Sequence, residues 1–209
     1  HNFLKKRNFL KVLAVPGELL DLINRYIAEL PAPLSEDEIE VQVNQIRNEK
    51  RFQEACHQAE SLATRLRIDG HRPAAISLMQ SVLNREDAEF ESIISNNLRM
   101  KLGIYLEEGN ADLDEILPLF EHVLAQPISD EPLQLKQQYD AASRVASFLL
   151  KQGEVHRSLE YSKKALELAQ IRKDNYDLVK SAWNYASDLH ESEQEGFLKF
   201  YELGISHLF

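Results

Sequence analysis

The 209-residue sequence has one cysteine, one tryptophan, and only seven glycines and seven prolines. A single cysteine, Cys56, cannot form an internal disulfide, so the sequence does not encode a disulfide-stapled scaffold, and we expect a reducing, cytoplasmic compartment. Glycine and proline fall almost entirely between amphipathic segments. That distribution favours an all-helical protein with short connections.

Positive charge and long apolar runs are also scarce. The chain carries 24 Lys and Arg against 34 Asp and Glu, which gives a formal net charge of −10 at pH 7. A nucleic-acid-binding surface needs clustered basic residues, so we expect no direct nucleic-acid binding by this region. No apolar run approaches the roughly 20 residues of a membrane helix, so we expect no membrane span.

Signatures of catalysis and metal binding are missing too. The sequence has no Walker loop, GxSxG, HExxH or EF-hand spacing, and its histidines do not follow zinc-finger spacing. Cys56 and His57 could form a catalytic pair, but neighbours on a helix point in different directions, so a small buried Cys56 is the preferred interpretation. We expect no enzyme activity, no catalytic residue, no metal and no cofactor.

Amphipathic periodicity with breaks at turn residues predicts a succession of helices. They span residues 3–15, 18–30, 35–47, 51–68, 73–84, 87–107, 113–125, 175–191 and 195–208, with two more inside 139–170. Ser35 and Glu38 form a capping-box pattern, and Pro118 is expected in or near the first turn of its helix. The break at Pro31-Ala32-Pro33 predicts two domains: a helical pair at 1–33, and a repeat domain at 34–209.

Residues 139–170 read YDAASRVASFLLKQGEVHRSLEYSKKALELAQ, with small residues where two helices would touch and a glycine turn between them. This segment resembles the tetratricopeptide (TPR) repeat, and weaker copies cover roughly 51–208. A small residue midway along the first helix is matched by Ala63, Gly103, Ala146 and Ala186; second-helix positions are matched by Ala75, Ser158 and Ala165, and a closing proline by Pro127.

The copies are longer than a regular TPR. The turn glycines Gly70, Gly109 and Gly153 lie 39 and 44 residues apart, against a regular period of about 34. Because 51–66 could also be the second helix of a hairpin that starts at Ser35, three or four repeats are possible. The resemblance implies an all-α fold: a right-handed α-solenoid of TPR-like helical hairpins with an N-terminal helical cap.

The resemblance also implies a binding site. In TPR proteins the first helices line a concave groove that holds an extended peptide or a partner helix. The matching outward-facing residues here are Asn97, Lys101, Asp140, Arg144, Lys180, Trp183 and Asn184. An asparagine can pair with both backbone groups of a peptide, and the cations can receive carboxylates. The alternatives are solvated polar faces and, for Trp183, packing in the core.

Two functions are compatible with this fold. The first is a non-catalytic module that binds a protein or peptide as part of a larger regulatory protein. The second is similar to the ligand-sensing TPR domains of bacterial transcription regulators and peptide receptors, in which a ligand changes superhelical pitch or dimerisation, so a homodimer is possible. The chain begins at His1, without Met, so we expect a fragment and interpret the basic helix at 3–15 as a linker rather than a membrane contact.

An acidic segment offers a different surface. Residues 107–131 contain eight Asp and Glu and no Lys or Arg. Such a segment can dock a basic partner, although it is more often a solvated face.

Overall fold

The computed structural model describes residues 32–85 and 93–207, and in these ranges it contains nine α-helices and no strand. The helices are α1 Glu36–Arg47, α2 Phe52–Asp69, α3 Arg72–Leu83, α4 Ile93–Glu108, α5 Leu113–Leu124, α6 Pro132–Lys151, α7 Val155–Arg172, α8 Asn175–Glu191 and α9 Phe197–Ser206. They match most of the helices predicted from residue 35 onward to within a few residues where both are described, but α6 begins at Pro132, seven residues before the predicted segment 139–170. The helices predicted at 3–15 and 18–30 lie outside the described residues.

Local sequence signals explain where helices begin. At α1 the Ser35 N–H donates to Glu38 Oε2 (2.8 Å) and the Glu38 N–H donates to Ser35 Oγ (3.3 Å), so the predicted capping box forms. Pro118 is the sixth residue of α5 and therefore lies in its second turn rather than its first. Since proline has no N–H, the carbonyl of Asp114 loses its helical partner at that point.

Consecutive helices pair as hairpins, α2–α3, α4–α5, α6–α7 and α8–α9. The second helix of each of the first three hairpins also packs on the first helix of the next one, and α2 contacts α4 as α4 contacts α6. Residues 52–69 are therefore a first helix, which selects four hairpins over three. The described part of the chain is an all-α solenoid of TPR-like hairpins.

The chain divides into two compact units, His1–Glu38 and Ile39–Phe209, and the four hairpins belong to the second. Most of the first unit lies outside the described residues. The predicted boundary at 33/34 and the predicted N-terminal cap stay predictions.

The four first helices all end in the same hydrogen-bonded turn, a Schellman motif. A backbone N–H donates to a leucine carbonyl five residues earlier, from His71 to Leu66 (2.7 Å), Ala111 to Leu106 (3.0 Å), Glu154 to Leu149 (2.9 Å) and Gln194 to Leu189 (2.9 Å). The left-handed residues are Gly70, Asn110, Gly153 and Glu193, with φ of 94°, 59°, 80° and 56°. In the second hairpin Asn110 takes this role instead of Gly109, so the true repeat spacing is 40, 43 and 40 residues.

Small residues lie at one fixed place in this repeat, seven positions before each left-handed residue. They are Ala63, Gly103, Ala146 and Ala186, and all four are buried. At Gly103 the partner helix comes so close that a Cβ would lie 2.6 Å from Cε2 of Phe120, whose side chain is 1% exposed. Close packing of the partner helix is observed at Gly103, and the burial of the three alanines agrees with the same role.

The contact of Gly103 with Phe120 can be tested by a double-mutant cycle. Alanine is favoured over glycine in a helix interior by about 1 kcal/mol, but overpacking a core costs about 1–3 kcal/mol. We expect the effect of Gly103→Ala on the free energy of unfolding to depend on residue 120. The substitution should be about 1–3 kcal/mol less favourable in the wild type than in the Phe120→Leu background. Urea denaturation of the four proteins measures the difference. Additive effects would contradict the contact.

Two substitutions at the left-handed turn residues should change the free energy of unfolding in opposite directions. Glu193→Gly should raise the free energy of unfolding by about 1 kcal/mol, because it removes a side chain from a left-handed backbone. Gly153→Ala should lower it by a similar amount, and the cause is conformational because nothing lies within 4 Å of the added Cβ. Thermal and urea denaturation of both variants provide the test, and effects of the same sign would contradict it.

Candidate functional site

Successive first helices present a shared polar surface, which we name the first-helix face; it consists of the outward side chains of α2, α4, α6 and α8. Hydrogen bonds link neighbouring helices along it. Lys101 Nζ on α4 lies 3.0 Å from Glu60 Oε1 and donates to Thr64 Oγ1 (2.9 Å) on α2. Gln137 Nε2 on α6 donates to Asn97 Oδ1 on α4 (2.6 Å).

Four of the predicted partner-binding residues are thus engaged within the protein. Besides Asn97 and Lys101, Arg144 Nη1 on α6 lies 3.6 Å from Glu107 Oε2 on α4, and Asp140 pairs with Lys136 one turn away. The contacts of Lys101, Asn97 and Arg144 connect the α2–α4–α6 part of the first-helix face. Their contact with a partner stays a prediction.

The three predicted residues on α8 are more exposed. Lys180 and Asn184 are exposed and form no hydrogen bond or ion pair with any described residue. Trp183 is 45% exposed but packs on α9: a Cβ at Gly204 would lie 2.3 Å from its ring, and its centroid is 6.3 Å from that of Tyr201. Trp183 therefore combines packing between α8 and α9 with an exposed aromatic surface.

A cavity of about 140 Å³ opens between α6, α7 and α8. Ser147, Asn184 and Ser187 lie at its half-buried or exposed mouth, whereas Asp188 lies at its buried end. Serines contribute from all three helices, at positions 143, 147, 158, 162, 181 and 187. Because these side chains are small, the space between the helices stays open. Next to it, α6 and α8 are in contact through Tyr139 Oη and Ser181 Oγ (3.3 Å).

Asp188 is a carboxylic acid in this cavity with only 3% of its surface exposed. Ser158 Oγ lies 2.9 Å from Asp188 Oδ2 and 2.9 Å from the carbonyl oxygen of Ala146. Burial raises the pKa of the Asp188 carboxyl, although hydrogen bonds from Ser162 and Ser158 oppose the shift. No ion pair with a described residue compensates its charge.

Sequence reasoning selected Asn184 but missed the cavity beside it. The available signal was the heptad spacing of Ser181 and Asp188, which places both on the side of α8 that also carries Asn184. On α8, Ser181 and Asp188 interrupt the row of inward-facing apolar residues that packing alone would require. This break marks the cavity in the sequence.

The acidic segment 107–131 is partly neutralised by contacts within the protein. Arg67 Nε donates to Glu108 Oε2 (2.7 Å), and this bond lowers the pKa of the Glu108 carboxyl. Glu107 lies within 4 Å of Arg144 and Lys151. Tyr161 donates to Glu121 (2.5 Å), and desolvation together with this bond raises the pKa of Tyr161 to about 12. The remaining acids form a solvated face.

Cys56 and His57 are arranged as expected for a helix. Cys56 is a fully buried thiol, whereas His57 is exposed. The described residues contain no group of three or more His, Cys, Asp or Glu side chains that could hold a metal ion. Among the helices in the same ranges, none has the length and apolar character needed to cross a bilayer.

Comparisons with known proteins add a likeness to a solved structure. No protein-family model matches the chain, and no curated protein does. The fold is similar to the apo form of the quorum sensor NprR from B. thuringiensis, with a TM-score of 0.52 at 14% sequence identity. The match covers 89% of this chain and 61% of that one, so the chain spans less than two thirds of that structure. The likeness supports the TPR-like helical repeat fold.

Proposed function

We propose that this region is a non-catalytic module that binds a peptide or an extended protein segment on the first-helix face, as part of a larger regulatory protein. The supporting observation is the polar surface at α6 and α8. Ser147, Asn184 and Ser187 surround an open cavity and form no hydrogen bond with a described residue. Polar groups that lack protein partners are available to a ligand at no cost in broken internal bonds.

Asn184 is the central contact in this proposal. Its amide can accept from a peptide N–H and donate to a peptide C=O, which recognises an extended backbone regardless of sequence. Lys180, one turn earlier on α8, can receive a carboxylate. The exposed part of Trp183 adds an aromatic contact of the kind that dominates many interfaces.

The α4–α6 part of the face has a supporting role. A ligand carboxylate at Arg144 would compete with Glu107, and a peptide amide at Asn97 would compete with Gln137. Those existing bonds reduce the net gain from each new contact. The proposed binding site is therefore centred on α6 and α8.

We also propose a cytoplasmic location for the protein, because its single cysteine, Cys56, cannot form an internal disulfide.

A ligand-sensing regulatory domain is the second candidate, and the structural likeness to a quorum sensor favours it. In this version the bound ligand alters how neighbouring hairpins stack, or whether two copies of the chain associate. Small-angle scattering and light scattering, with and without a bound peptide, would separate the candidates. A change in radius or mass supports the sensor, and an unchanged particle supports the plain binding module.

A selection from a random peptide library on the purified 209-residue chain tests the proposed function. We expect selected peptides to bind the wild type and to bind Asn184→Ala about tenfold or more weakly, because two backbone hydrogen bonds are lost. Fluorescence anisotropy measures both affinities, after circular dichroism shows that the variant is folded.

Asn44→Ala is the matched control, since Asn44 is an exposed asparagine on α1. It should bind the selected peptides as the wild type does. Peptides that bind the wild type and Asn184→Ala equally would move the site away from α8. A selection that yields no binder would contradict peptide recognition by this region.

A further inference from the structure

The buried end of the cavity between α6, α7 and α8 offers mainly hydrogen-bond acceptors, whereas the donors of Ser147, Asn184 and Ser187 lie at its mouth. Ser181 Oγ lies 2.7 Å from the carbonyl oxygen of Asp177, and Ser162 Oγ lies 3.2 Å from that of Leu159. A hydroxyl has one proton but two lone pairs. When these two protons are directed to helix carbonyls, the oxygens of Ser162 and Ser181 have only lone pairs left to offer to a ligand.

The buried carboxylate of Asp188 needs hydrogen-bond donors, and the surrounding serines supply few. The Ser158 proton has two acceptors at the same 2.9 Å distance, the carbonyl of Ala146 and Oδ2 of Asp188, and it can serve only one of them. The same competition holds for Ser162, which also hydrogen-bonds Asp188. A buried carboxylate therefore lacks both a full set of donors and a compensating positive charge.

We propose that this cavity is the subsite that receives a primary ammonium group of the bound peptide, from a lysine side chain or from the peptide's amino terminus. The proposal rests on the proposed function, because the ammonium belongs to the peptide. The group would supply three N–H donors and one positive charge to Asp188 and the serine oxygens.

Size and shape favour an ammonium over a guanidinium. The cavity of about 140 Å³ is several times the roughly 10–15 Å³ that one water needs, so it admits an alkyl chain with its terminal amine. A guanidinium is a flat fork that prefers two coplanar carboxylate oxygens. Here Oδ2 faces Ser158, and the serine oxygens surround the space from three helices, which suits a compact tetrahedral donor.

The mouth of the cavity connects it to the proposed peptide path. Asn184 lies on the same wall of α8 as Asp188, one helical turn away, and both line the cavity. A backbone held by Asn184 therefore passes directly over the opening. The adjacent side chain, or the amino terminus, can enter while the backbone remains on the first-helix face.

The first experiment tests the subsite without a peptide. The 209-residue chain is titrated with n-butylammonium, and binding is observed by ¹⁵N–¹H NMR. We expect weak binding, on the order of millimolar, with shifts at Ser147, Asn184 and Asp188. Tetramethylammonium, which has no N–H donor, and n-butanol, which has no charge, should not shift them. Shifts from all three compounds, or from none, would overturn the ammonium subsite.

The second experiment uses the selected peptides with their amines blocked. Replacing lysine by Nε-acetyl-lysine, or acetylating the amino terminus, should weaken binding by about tenfold or more. The arm that loses affinity identifies which amine enters the cavity. If neither block matters while Asn184→Ala still weakens binding, the subsite is wrong and the proposed function stands.

Variants of the chain complete the test. Asp188→Asn keeps the shape and removes the charge, so it should abolish the preference for the free amine while acetylated peptides bind as before. Glu202→Gln on α9 removes an exposed carboxylate of the same charge and should leave both affinities unchanged. Ser187→Leu narrows the mouth without touching Asp188 and should also reduce amine binding. If Asp188→Asn still prefers the free amine over the acetylated peptide, the ammonium subsite is wrong. A library that yields no binder would overturn both the subsite and peptide recognition.

Discussion

Close approach of the two helices within each hairpin is the constraint on which this fold depends. It requires a small residue midway along every first helix, and Ala63, Gly103, Ala146 and Ala186 fill that place. In the second hairpin, Phe120 occupies the volume that a Cβ on Gly103 would need. Because each hairpin then offers a well-defined surface to the next one, the stacking of four hairpins follows from a local packing rule.

Along the first-helix face, the part that links neighbouring helices differs from the part proposed to bind a ligand. Between α2, α4 and α6 the polar side chains are used to connect one first helix to the next, as Lys101 does with Glu60. Between α6 and α8 Ser181 Oγ lies 3.3 Å from Tyr139 Oη, and short serine side chains leave an open space beside this contact. That space is polar because serines, Asn184 and Asp188 line it.

Much of the fold could be predicted from the sequence, because it depends on local signals. Apolar periodicity located the helices, and Ser35 with Glu38 identified the start of α1 correctly. The repeat spacing was harder to obtain, since glycine is only one of the residues that adopt a left-handed turn. Asn110 and Glu193 do so here because the leucine carbonyls of Leu106 and Leu189 close the motif around them.

The candidate site was only partly predictable for a different reason. Exposed positions on α8 follow from helical phase, which is why Lys180 and Asn184 were identified. Pairings such as Arg144 with Glu107 join residues of different hairpins, and the burial of Asp188 depends on three helices at once. The sequence of α8 alone shows that Ser181 and Asp188 interrupt its apolar pattern, but not which side chains of other helices surround them.

The walls of the cavity come from two hairpins, so its dimensions are a property of the interface between them. In a nearest-neighbour description of stacked repeats, such an interface contributes its own term to the stability of the array. A small rotation of the α8–α9 hairpin against α6–α7 would change the distance from Asp188 to the serines of α7, and little else in either hairpin. A ligand that binds the cavity more tightly at one angle between the hairpins would therefore be thermodynamically linked to that angle, and the two effects would be equal in size.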